Sequence, residues 1–79
     1  MNEEDILAGI AALRSGWRDS RDRRLFCKRE LAAQGKDAAG VRHDGEYKRL
    51  KKTQRHYTKL IRRLERILNR KRARHEKKD

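Results

Sequence analysis

Apolar residues near the start of the chain, Ile6, Ile10, Leu13 and Trp17, step by four, three and four positions, the period of one buried helical face. Leu7 widens that face. Asn2, followed by Glu3, Glu4 and Asp5, marks the start: Asn accepts a bond from an orphan backbone N–H, and three acids sit at the positive end of the helix. A polar stretch from Arg18 to Arg24 interrupts the stripe, and Gly16 just before it could end a short helix. The opposite-charge pairs Arg18 with Asp22 and Asp19 with Arg23, four residues apart, favour an unbroken one. The stripe resumes at Leu25, Phe26 and Leu31, and Ala32-Ala33-Gln34-Gly35 reads as a last turn closed by a left-handed glycine. The first helix is therefore predicted over about 3–34.

Three of the five glycines fall at 35, 40 and 45, so 35–44 reads as a linker. Asp44 is the expected cap of a second helix over about 45–73, with Glu46 in its first turn. With Tyr47 as heptad position a, the a row is Tyr47, Gln54, Ile61 and Leu68, and the d row is Leu50, Tyr57 and Leu64. Leu60 and Ile67 add a row at g. The apolar seam stops at Leu68, and 74–79 is expected to be a basic, frayed end.

Two long helices joined by a short linker predict an all-α fold, an antiparallel, coiled-coil-like helical hairpin forming a single domain over 1–79. A chain of 79 residues with 34% hydrophobic side chains has little core to build, so self-association or docking on a larger assembly is expected to complete it. The partner expectation is thus a homo-oligomer or a larger protein or ribonucleoprotein assembly.

Charge then sets the functional reading. The chain holds 24 Lys and Arg against 12 Asp and Glu, a net of +12. Residues 1–40 carry eight basic and seven acidic side chains, whereas 41–79 carry sixteen and five. Between Tyr47 and His75 there are thirteen Lys and Arg and one acid, Glu65, expected to pair locally with Arg62 or Arg66. Rows b, c and f, opposite the seam, hold Lys48, Arg49, Lys52, Arg55, Lys59, Arg62, Arg63, Arg66 and Arg70, and Arg72 and Arg74 continue the series. Like charges such as Lys48 with Lys52, or Arg62 with Arg66, weaken an isolated helix slightly. A polyanion reverses that cost, because neutralising the row releases condensed counterions. These eleven residues are the candidate nucleic-acid-binding set, with contact expected at the DNA or RNA backbone and little sequence specificity. Arginine, dominant in the last third, suits bidentate phosphate contact.

The alternative is a helical adaptor, inhibitor or structural module that meets an acidic protein surface or associates with itself. A membrane surface fits less well, since Trp17 and Phe26 lie in the other helix and are expected in the core. A helix-turn-helix around Gly35, with Lys36, Arg42 and His43 toward DNA, would put Gly40 and Gly45 inside its recognition helix. Tyr47 and Tyr57 could stack on bases but sit on the seam, where core packing is expected.

No enzyme activity, cofactor or metal is expected. Cys27, His43, His56 and His75 show no ligand-pair spacing, and neither a glycine-rich phosphate loop nor a nucleophile-base motif is present. Cys27 reads as a small buried residue, although Arg23, Arg24 and Lys28 nearby could lower its pKa. The longest uncharged run, Ile6 to Leu13, is eight residues, below the ~20 that span a bilayer. A single cysteine and an acidic start lead to the expectation of a cytoplasmic or nucleoid-associated protein.

Overall fold

The structure, a computed structural model, describes residues 2–77, with side chains through Arg74. Its elements are α1 (Glu3–Ala33), α2 (Ala38–His43) and α3 (Gly45–Lys77). The two long helices pack antiparallel along their length into a rod of 61 × 18 × 14 Å. No helix among the described residues is long and apolar enough to cross a membrane.

Each helix end has a local cause. Asn2 Oδ1 accepts from the Asp5 N–H at 2.8 Å and opens α1. Its close is a Schellman motif: Gly35 takes φ 85°, its N–H donates to the Ala32 carbonyl, and the Lys36 N–H donates to that of Leu31. Asp44 Oδ1 accepts from the Tyr47 N–H at 3.0 Å and opens α3. The absence of Gly and Pro beyond Gly45, among good helix formers, carries α3 to Lys77. This corrects the shorter helix over 45–73: positions 74–77 of the expected frayed end are helical, and 78–79 lie outside the described residues.

The linker is also not featureless. Asp37 caps the six-residue α2 by accepting from the Gly40 N–H at 2.8 Å, and its one large apolar side chain, Val41, is buried against Cys27, Leu31 and Tyr47. One valine suffices because it plugs the end of a two-helix seam and has no third helix to support. Lys36, Arg42 and His43 are exposed, but α2 ends after six residues at Asp44, whose backbone is extended, so Gly40 and Gly45 do not share one long helix after Gly35.

The α1 seam follows a strict heptad: Ile6, Ile10, Leu13, Trp17, Ser20, Arg24, Cys27 and Leu31 are all buried or half-buried. Its middle is polar, with Ser20 buried and the half-buried Arg24 donating to Gln54 Oε1 at 2.9 Å and to the Tyr47 hydroxyl at 3.1 Å. Two apolar clusters flank this layer. Ile6, Ile10 and Leu68, with Ile61, Leu64 and Ile67, fill one end; Cys27, Leu31, Val41 and Tyr47, with Leu50, fill the other. Because the seam passes through Ser20 and Arg24 rather than jumping to the next bulky residues, Phe26 lies off it and is 62% exposed, contrary to its expected core place. Leu7 is likewise exposed.

Gly16 does not break α1; it lets α3 approach. A Cβ there would lie 2.5 Å from the Tyr57 ring. Of the two ion pairs expected across the polar stretch, Asp19 with Arg23 forms at 3.1 Å, while Asp22 takes its neighbour Arg21 at 3.2 Å instead of Arg18.

Candidate nucleic-acid interface

The candidate residues lie on the face of α3 turned away from α1. With the a and d rows fixed against α1, helical geometry forces rows b, c and f outward. Lys48, Arg49, Lys52, Arg55, Lys59, Arg62, Arg63, Arg66, Arg70, Arg72 and Arg74 are all exposed. The ion pairs of the described residues use one of them, Arg72, which donates through Nε and Nη2 to Glu3 Oε1 at 3.1 and 3.0 Å. Glu65, the one acid within the strip, is not a local partner of Arg62 or Arg66. It reaches across the hairpin to Arg14 Nη2 at 3.3 Å, because heptad position e points along α1. The strip is therefore less neutralised than its sequence implies.

Three residues outside the expected set join it. Arg42 of α2 and Lys51 and His56 of α3 line one concavity with Lys48, Arg55 and Lys59, floored by Tyr47. Lys51 was missed because position e flanks the seam, and Arg42 because it was placed in a linker. The turn through α2 carries Arg42 back onto the start of α3.

Alpha-one contributes as well. Arg14, Arg21 and Lys28 repeat every seven residues, a periodic signal hidden by the near-neutral sum of the first forty positions. Position e of α3 meets this edge: Arg72 contacts Glu3, Glu65 contacts Arg14, and Thr58 Oγ1 accepts from Trp17 Nε1 at 3.0 Å. Trp17 is half-buried, with the Arg21 guanidinium 5.3 Å from its ring centroid. Arg14, Arg18 and Arg62 surround one groove beside it, and Arg24, Lys51 and Arg55 surround another.

The opposite edge has another character. Asp22, Glu30, Asp44 and Glu46 border a groove with Phe26 and Leu50. Cys27 lies at its base, and burial pushes its thiol pKa up, with Glu46 and then Asp44 adding to the rise. This corrects the lowering anticipated from nearby arginines: Arg24 turns to Tyr47 and Gln54, and Arg23 to Asp19. Folded protein at neutral pH is therefore expected to react with a thiol reagent such as DTNB far more slowly than the urea-unfolded chain; equal rates would place Cys27 at the surface.

The tyrosines are held by packing. Tyr47 is buried, its hydroxyl bonded to Arg24, whose guanidinium lies 5.9 Å from the ring centroid. Tyr57 is half-buried over Gly16. Among the described residues, no three His, Cys, Asp or Glu side chains converge as a metal site would require. No family model, curated protein or solved structure matches this chain.

Proposed function

We propose that the protein is a non-catalytic nucleic-acid-binding module that holds the phosphate backbone on the outer face of α3, with low sequence specificity. The observation that carries this reading is the row of ten exposed Lys and Arg side chains, the candidate set apart from Arg72, none of them in an ion pair with an acid among the described residues. From Lys48 to Arg66 the row extends for about 27 Å at 1.5 Å per residue. A duplex presents one phosphate charge per ~1.7 Å of axis, so every cation in the row finds a counter-charge. The Arg42–Lys51–His56 concavity extends the positive surface to the loop end.

Such binding releases counterions and must weaken steeply with salt. With six to ten phosphate contacts, affinity for a labelled random-sequence oligonucleotide, read by fluorescence anisotropy, is expected to fall roughly 10³- to 10⁵-fold between 50 and 200 mM salt. An affinity indifferent to salt would overturn the reading.

A second reading has its own support. Phe26, exposed within an acidic groove, is an apolar anchor of the kind that protein interfaces cover. A self-associating or adaptor hairpin would show an oligomeric mass by light scattering in the same samples without any change in anisotropy.

A further inference from the structure

We infer that the edge shared by α1 and α3 at Trp17 is a track for single-stranded nucleic acid, with one unpaired base stacking at the indole; this rests on the nucleic-acid reading above. Trp17 and Thr58 line both of the grooves on this edge. The pair forms the ridge between them, with Arg18, Arg62 and the Arg14–Glu65 ion pair on one side and Arg24, Lys51 and Arg55 on the other. A strand laid along the edge places phosphates among the cations of each groove, and its bases must then cross the indole.

The ridge is fixed in place. Trp17 Nε1 donates to Thr58 Oγ1, and Thr58 Oγ1 donates in turn to the Gln54 carbonyl at 3.2 Å, so the half-buried ring is tethered to α3 by its edge. The ring face carries a cation, Arg21, which is the arrangement a base would extend or displace. Arg21 is free to yield, because its acid partner is the exposed neighbour Asp22 and it is not anchored to α3. A duplex cannot use the ridge in this way, since its bases are already stacked, whereas in single-strand binders a basic groove follows the backbone and aromatic rings take the bases. The outer strip therefore accepts either form through its phosphates, and the Trp17 edge adds a preference for the unpaired one.

The chain has a single tryptophan, so its emission reports on this ridge alone. The whole protein is titrated with an oligothymidylate, an oligouridylate and a duplex containing the same thymidine strand, following oligonucleotide anisotropy and tryptophan emission together. Quenching by either single strand, without quenching by bound duplex, is expected. Trp17→Leu should lower single-strand affinity roughly fivefold to a hundredfold, the range of one lost stacking contact, while leaving duplex affinity and helicity by circular dichroism unchanged. Trp17→Phe, which keeps a ring face, should restore most of the loss. Anisotropy showing a bound single strand with unchanged wild-type emission would overturn the track and leave the outer strip standing; no binding of any oligonucleotide would overturn both.

Discussion

Reversing Arg55, Arg62 and Arg66 to Glu together is expected to abolish nucleic-acid binding at physiological salt while leaving the helical circular-dichroism spectrum unchanged. All three side chains are exposed on the outer face of α3, and among the described residues none forms an ion pair with an acid. Reversal relieves the like-charged pairs Arg55 with Lys59 and Arg66 with Arg70, which offsets the new carboxylate crowding among positions 62, 65 and 66. The hairpin should therefore be no less stable than wild type. Binding suffers twice, since three phosphate contacts are lost and three repulsive charges take their place. Neutral substitution separates the two effects: Arg55→Gln, Arg62→Gln and Arg66→Gln should reduce the salt slope of log affinity by about 3, one contact each at ~0.9 per phosphate. Retained affinity in the Glu triple variant, with intact helicity, would remove this face from the mechanism. A variant that lost helicity could not be read that way, which is why the spectrum accompanies the titration.

Much of this arrangement is legible in sequence because heptad geometry converts spacing into position. Once Tyr47, Leu50, Ile61, Leu64 and Leu68 are taken as a seam, the outward direction of Lys52, Arg55 and Arg66 follows without further information. The caps at Asn2 and Asp44 and the left-handed Gly35 are equally local, each satisfied within three or four residues. What sequence hides is of two kinds. Apolar counting fails where a seam is polar: Ser20 and Arg24 occupy true seam positions, so the stripe seemed to lapse and Phe26 was drawn into it. Cross-helix pairing also depends on register, which a single helix cannot reveal. Glu65 has arginines three positions before it and one position after it in its own helix, yet meets Arg14, fifty-one residues away. The same register brings Trp17 to Thr58 and builds the edge that composition alone leaves invisible.

The polar seam has its own logic. Gln54 and Arg24 satisfy each other, and no buried side-chain nitrogen or oxygen among the described residues lacks a partner. A one-heptad shift toward the C-terminal end of α3 would put Arg24 against Ile61 and strand its charge. The layer therefore disfavours alternative registers, as a buried polar residue at an a position does in coiled coils. The two apolar clusters supply the attraction, and the middle supplies the alignment.

That alignment makes two glycines of the same helix respond with opposite sign. Gly16→Ala would place a Cβ 2.5 Å from Tyr57 Cε1 and 2.6 Å from Cζ, so a rigid ring packed between the helices must move. Overpacking of this kind costs about 1–3 kcal/mol, which exceeds the ~1 kcal/mol that alanine gains over glycine inside a helix. A net loss of up to about 2 kcal/mol is expected, lowering Tm by up to roughly 16 °C for a domain of this size. At Gly9 the same substitution meets Leu64 Cδ1 at 3.1 Å, the far end of a flexible side chain that can yield by a few tenths of an ångström. There the helix gain dominates, and Gly9→Ala should raise Tm. A Tyr57→Leu background tests the cause directly. With the ring gone, Gly16→Ala should turn from destabilising to stabilising, so that the two substitutions couple strongly instead of adding. If Gly16→Ala is equally destabilising in both backgrounds, the Tyr57 contact is not what requires a glycine at position 16.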